Sequence, residues 1–195
     1  PILVGHSWGA SVVVDYASRV QVGPRAPKGV ILVDGGLHQL SADPGATWET
    51  TRDRLTPPRL IGTPVEDFRA RVRHFTAQWD APEEVVDIIL ANFTIREDDT
   101  IAPNLAFENH MKIVRAMWEF PTLEKLARIR VPALAIMATG FNPEWDARKS
   151  LSAEQALRAK PDLQLVWMEQ TVHDIPLHRP RDLAGHIIRF TQGLQ

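Results

Sequence analysis

The sequence predicts an α/β fold, a parallel sheet interrupted by a helical insertion, on three observations. Four short apolar runs, at 1–4, 29–36, 131–137 and 163–168, have the continuous Val/Ile/Leu character of strands covered on both faces. Helical patterns separate the first two runs and the last two, as parallel crossovers require. Between the two pairs, residues 37–123 change to helical patterns rich in charge and tryptophan, a block too long for an ordinary connection.

Taken in order, 1–4 is a strand running into Gly5-His6-Ser7-Trp8-Gly9. Residues 9–20 then place Val13, Tyr16, Ala17 and Val20 at helical spacing before Gly23-Pro24 closes the helix. Residues 29–36 form a second strand bounded by glycine at both ends. In the inserted block the helical stretches are 64–79 (Val65, Phe68, Val72, Phe75), 82–93 (Val85, Ile88, Ile89) and 105–119 (Leu105, Met111, Val114, Met117, Trp118). A small hairpin is expected where 92–96 and 100–102 flank Glu97-Asp98-Asp99. The sheet resumes at 131–137, followed by a helix near 150–160 and a strand at 163–168. A closing helix at 180–192 is started by Pro180, with Leu183, Ile187, Ile188 and Phe190 as its apolar face. The expected domains are a core of 1–36 with 124–195 and an insertion of 37–123.

With 195 residues and 44% hydrophobic content the chain has the material for a sizeable core. Its 22 basic and 24 acidic side chains are interspersed, for a formal charge of −2, so neither a basic nucleic-acid face nor an acidic tail is expected. The lack of cysteine removes disulfides and thiolate metal sites and fits a reducing, cytoplasmic setting. No apolar stretch approaches the roughly 20 residues of a membrane span. The histidines show no metal-ligand spacing and no glycine loop is built for phosphate, so no metal and no cofactor is expected. The expected partner is a small-molecule substrate.

Gly5-x-Ser7-x-Gly9 between a strand and a helix is the pattern of a nucleophile elbow. The turn needs small residues around the serine and lifts its hydroxyl above the sheet. The helix N-terminus beneath it favours developing negative charge.

With this elbow the sequence resembles the C-terminal two-thirds of the α/β-hydrolase superfamily. GHSWG would follow that fold's fifth strand, GVILVDGG would be the sixth, 37–123 the cap inserted there, VPALAIM the seventh and LQLVWME the eighth. The resemblance implies a parallel half-sheet in the order 5-6-7-8, with strands one to four absent. It also implies a first-strand edge that would pair with the missing N-terminal half or with another chain.

The loop Gln170–Pro180 is similar to the family's segment after the eighth strand, which makes His173 the expected base. It takes the proton of Ser7 and returns it to the leaving group. His178 is the competitor and reads as a capping or solvent-facing residue. For the acid, the family order Ser…Asp/Glu…His leaves Asp34 at the end of the sixth strand, and Glu144 and Asp146 in the loop after the seventh, as alternatives, with none of them a further possibility. Trp8 N–H is expected to be one oxyanion donor; the family's second lies on a loop after the third strand, outside these residues. His6, Trp118 and His110 are candidate substrate contacts. Trp48, Trp79 and Phe75 are candidates to join them in lining a pocket, although aromatics at helical spacing also serve as core.

The implied function is cofactor-independent hydrolysis of a small or medium apolar ester or lactone through an acyl-enzyme. A serine nucleophile sets the chain apart from relatives that attack with aspartate, such as haloalkane dehalogenases. Carbon–carbon bond hydrolases share the elbow, and a non-catalytic or truncated binding protein is the reading from another class.

Overall fold

The computed structural model describes residues 1–194, which fall into two units: residues 1–46 with 117–194, and residues 47–116. The larger unit opens with β1 (Ile2–His6), α1 (Trp8–Arg19), β2 (Gly29–Val33) and a 3-10 turn, Leu40–Ala42. The smaller unit carries α2 (Trp48–Leu55), β3 (Thr63–Pro64), α3 (Val65–Thr76), a 3-10 turn at Ala77–Trp79, α4 (Glu84–Leu90), β4 (Phe93–Ile95) and β5 (Thr100–Pro103). Helix α5 (Phe107–Glu119) leads back into the larger unit, which continues with α6 (Thr122–Arg128), β6 (Ala133–Ala138), α7 (Pro143–Ala159), β7 (Gln164–Met168), α8 (Ile175–His178) and α9 (Pro180–Gln192).

In the larger unit the strands form one parallel sheet in the order β1-β2-β6-β7, with Val4 opposite Ile31, Ile31 opposite Leu134, and Leu134 opposite Gln164. The central strands β2 and β6 are buried along their whole length, which is why they read as continuous apolar runs. Alternation divides their side chains between two cores. Val30, Leu32, Ala133, Ala135 and Met137 pack with Val14, Ala17, Leu126 and Ala156. Ile31, Val33, Leu134 and Ile136 pack on the other face with Ile175, Leu183 and Phe190. Each large aliphatic side chain buried in this way contributes about 1.5–3 kcal/mol. At the β1 edge the pattern loosens and Val4 is 48% exposed.

Three expectations need correction. The inserted unit is 47–116 rather than 37–123, because both ends of the insertion are tied into the larger unit. Leu37 is buried in the core beside Leu126, Thr122 Oγ1 donates to the carbonyl of His38, and Leu123 N–H donates to Gln39 Oε1. Helix α7 begins at Pro143, not near 150: Asn142 Oδ1 accepts the N–H of Trp145 and Pro143 takes the first helical position. On α9, Ile188 is 53% exposed, because the stripe at 3.6-residue period passes through Leu183, Ile187 and Phe190 and misses it.

The expected hairpin is present in the smaller unit as β4 antiparallel to β5, with Ile95 opposite Ile101, and the short β3 pairs on the other side of β5. Phe68, Val72, Val86, Leu90 and Ile101 form its core. Helix α2 starts from a reciprocal cap between Thr47 and Thr50.

Candidate active site

Three parallel strands end on one edge of the sheet, and each is followed there by one candidate side chain. Ser7 follows β1, Asp34 follows β2 and His173 lies in the loop after β7. Ligands in open α/β sheets are taken up at this carboxyl edge.

Ser7 sits at φ 55, ψ −123, a backbone region that costs a non-glycine residue about 1–3 kcal/mol. Its N–H donates to the carbonyl of Val33, and its own carbonyl accepts the N–H of Ala10. Although Ser7 is the N-cap of α1, its hydroxyl makes no capping bond, which leaves Oγ to point away from the helix. The elbow depends on Gly5, where a Cβ would lie 2.2 Å from the carbonyl oxygen of Gly9, and on Gly35, where one would lie 2.2 Å from the carbonyl oxygen of Ser7. A Cβ at Gly9 meets nothing within 4 Å, so the second glycine of the motif contributes through its backbone and not through lack of a side chain. Gly35→Ala should therefore push the elbow out of place. We expect a fall of several degrees in Tm, from an overpacking cost of about 1–3 kcal/mol, and about a hundred-fold loss of any Ser7-dependent rate. A variant that melts and reacts as the parent does would show that the elbow tolerates the contact.

His173 Nε2 is 2.9 Å from Ser7 Oγ, and His173 Nδ1 is 2.6 Å from Asp34 Oδ2. The Asp34 side chain is fully buried. An ionised carboxylate only accepts, so Nδ1 carries the proton and Nε2 faces the serine hydroxyl as an acceptor. Asp34 Oδ1 accepts the N–H of Ala138, Oδ2 also accepts from Lys149 Nζ at 2.8 Å, and the Asp34 N–H donates to the carbonyl of Ile136. Burial pushes the Asp34 carboxyl up, but the His173 hydrogen bond, the charge and hydrogen bond of Lys149 and the Ala138 N–H together hold it below the usual aspartate value. The stability gained in this way is present above the unfolded pKa and lost as pH falls through the lower folded one.

The other two acid candidates stand in the first turn of α7 rather than in a loop. Glu144 pairs with Arg148 at 2.9 Å and its side chain is 77% exposed, while Asp146 Oδ2 accepts the N–H of Gly140 at 2.9 Å. Asp34 is the carboxylate that the fold brings to the imidazole.

The histidine loop is secured from several sides. Thr171 N–H donates to the carbonyl of Thr139, and Thr139 N–H to that of Met168, which joins the loops after β6 and β7. His178, the competing candidate, accepts the N–H of Val172 on its Nδ1, and desolvation followed by the nearby Arg179 charge favours the neutral ring this bond requires. His6, expected to meet substrate, has Nε2 3.0 Å from the carbonyl oxygen of His173, with the two rings 5.0 Å apart. It ties the His173 loop to the end of β1.

Trp8 is the first residue of α1, where a helix N–H has no carbonyl partner within the helix. Its ring stands edge-on to Phe120 at 6.4 Å. Trp118 and His110 both lie on α5, Trp118 in the larger unit and His110 in the smaller. Within the smaller unit Trp48 lies under Arg115, and Trp79 is buried edge-on to Phe75. Among the described residues no group of three or more His, Asp or Glu side chains is placed to hold a metal, and no helix is long and apolar enough to cross a membrane.

Sequence reasoning missed Lys149 and Gly35. The doubled glycine at 35–36 after a strand was a visible sign of close backbone approach, whereas nothing in the local pattern around Lys149 distinguishes it from an exposed helical lysine.

A parallel sheet that presents a serine on a strand-to-helix elbow, with an imidazole and a buried carboxylate behind it, defines a protein of the α/β-hydrolase class. The chain belongs to the alpha/beta hydrolase family, whose profile matches residues 1–186. Among solved structures it is similar to E-2-(acetamidomethylene)succinate hydrolase (TM-score 0.71, 15% identity, covering 98% of this chain and 66% of that one). It is also similar to the thioesterase domain from the curacin biosynthetic pathway (0.66, 22%, 96% and 66%) and to MenH from S. aureus (0.62, 19%, 100% and 68%). The chain thus spans about two-thirds of the length of these structures. No curated protein matches it in a sequence search.

Proposed function

We propose that this chain carries the nucleophile, base and acid of a serine hydrolase that cleaves a small or medium apolar ester or lactone. The observation that carries the proposal is the unbroken relay Ser7–His173–Asp34, with links of 2.9 and 2.6 Å. A binding protein would have no use for a strained serine, an oriented imidazole and a buried ionised carboxylate in sequence.

Ser7 Oγ attacks the acyl carbonyl as its proton passes to His173 Nε2. Asp34 steadies the imidazolium that forms, and the Trp8 N–H faces the oxyanion of the tetrahedral intermediate. His173 then protonates the leaving alcohol, which departs and leaves an acyl group on Ser7. A water that gives its proton to His173 releases the acid and restores the serine. The aromatic pair Trp8 and Phe120 beside the elbow supports an apolar acyl portion.

The test is an alkyl fluorophosphonate, which transfers its phosphonyl group to an activated serine with loss of fluoride. Peptide mapping should place one adduct on Ser7, and Ser7→Ala should take up none. Ester turnover that persists without Ser7, or an adduct on another residue, would overturn the assignment.

A further inference from the structure

Lys149 reaches from the second turn of α7 to the back of the relay. Its Nζ donates to Asp34 Oδ2 at 2.8 Å and to the carbonyl of Ala138 at 2.8 Å. The lysine side chain is 19% exposed, while the carboxylate it meets is fully buried. Asp34 Oδ2 therefore has two partners, the imidazole Nδ1–H and a full ammonium charge, while Oδ1 is occupied by the Ala138 N–H. An acid that has only to orient a histidine and offset its charge would not need the ammonium, and a cation sharing one carboxylate oxygen with an imidazole works against protonation of that imidazole.

We propose that Lys149 is a positioning residue that acts through Asp34: it locks the carboxylate rotamer and sets how readily His173 takes a proton. This rests on the serine-hydrolase reading for its catalytic consequence, though not for its electrostatics. With Lys149 in place, the buried Asp34 carboxylate is compensated by a full ammonium charge as well as by its bond from the imidazole, so it does not rely on a protonated His173 to stay ionised. Without it, the carboxylate's remaining source of charge compensation in the relay is the imidazolium, and His173 would hold its proton to higher pH. Among the described residues, the titratable side chains bonded to the pair from outside it are Lys149 of α7, on Asp34, and His6 at the end of β1, on the backbone of His173, and Asp174 is next in the chain. His6 donates to the backbone of His173 and is common to every variant below.

The experiment is an NMR titration of the His173 imidazole in the full chain labelled with ¹⁵N-histidine, alongside the pH profile of kcat/KM for a simple aryl ester. In Lys149→Met the His173 titration, and the acid limb of the rate profile with it, should move to higher pH by about one unit, the low end of what a charge at this range does. Lys149→Gln removes the charge but keeps a donor and the stem, so it should move in the same direction, and it serves if the methionine variant does not fold. Lys149→Arg keeps the charge and should stay near the parent. Equal His173 titrations in the Gln and Arg variants would overturn the proposal, because a purely structural lysine lowers Tm without moving that titration. If the aryl ester is not turned over in a Ser7-dependent way, the hydrolase reading fails while the NMR shift still decides the role of Lys149.

Discussion

Ser7→Ala and His173→Ala should each lower kcat for an ester substrate by about 10⁴–10⁶-fold, and the double variant should lose no more than either single one. The reason is the geometry of one proton path. Ser7 Oγ, at its ordinary acidity, is a weak nucleophile until Nε2, 2.9 Å away, accepts its proton, and Nε2 has no task in the first step once that hydroxyl is gone. Removing either end therefore removes the same function, and the losses overlap. Steady-state kinetics with a chromogenic ester, checked against probe labelling to exclude contaminating esterase, measures this. Losses that multiply in the double variant would mean that Ser7 and His173 act in separate steps.

Asp34→Asn should cost about 10⁴-fold in kcat, while Glu144→Gln and Asp146→Asn should each stay within about two- to three-fold of the parent. The asymmetry follows from the donors that converge on Asp34. An asparagine there keeps one oxygen, and if that oxygen takes the Ala138 N–H, the amide NH₂ is turned toward His173 Nδ1 and Lys149. Nδ1 must then accept, the proton moves to Nε2, and the imidazole can no longer take a proton from Ser7. The opposite amide rotamer points NH₂ at a backbone N–H and leaves a buried donor unsatisfied. Glu144 and Asp146 face neither problem, since one forms a surface pair with Arg148 and the other accepts a loop N–H at Gly140. A drop of several orders of magnitude in either of those variants, with Asp34→Asn near the parent, would reverse the assignment.

The sheet was legible because its central strands are buried on both faces, so Val30–Val33 and Ala133–Ala138 had to be apolar throughout. That Ser7 and His173 would meet was legible from motif and order along the chain. Which carboxylate meets the imidazole was not, because Asp34 is set by the end of β2 while Glu144 and Asp146 are kept away by the path of the backbone after β6. The cue that would have separated them was the Asn142-Pro143 pair: read as a cap and first helical residue, it places Glu144 and Asp146 in the opening turn of α7. The ends of the insertion were misplaced for a similar reason. The bond from Thr122 to His38 joins positions 84 residues apart, and no local pattern records such a contact.

The insertion between β2 and β6 has a consequence for the order in which the molecule assembles. Val30 pairs with Ala133, so the central seam of the sheet can close only after about a hundred residues have been brought back on themselves, and the hydrogen bonds from His173 to Ser7 and Asp34 span separations of 166 and 139 residues. Loop closure costs grow only with the logarithm of length, so this lengthening is cheap at equilibrium. In time it is not, because long-range pairings slow the search for the native topology. The β1–α1–β2 crossover unit, and the smaller unit with its own core, are local and can form early. The relay cannot exist until β7 has docked on β6 and carried its loop across the sheet to the end of β1. On the proposed reading, reactivity at Ser7 would report on the last long-range contacts to assemble, and a time course of probe labelling during refolding would trail the recovery of helical signal.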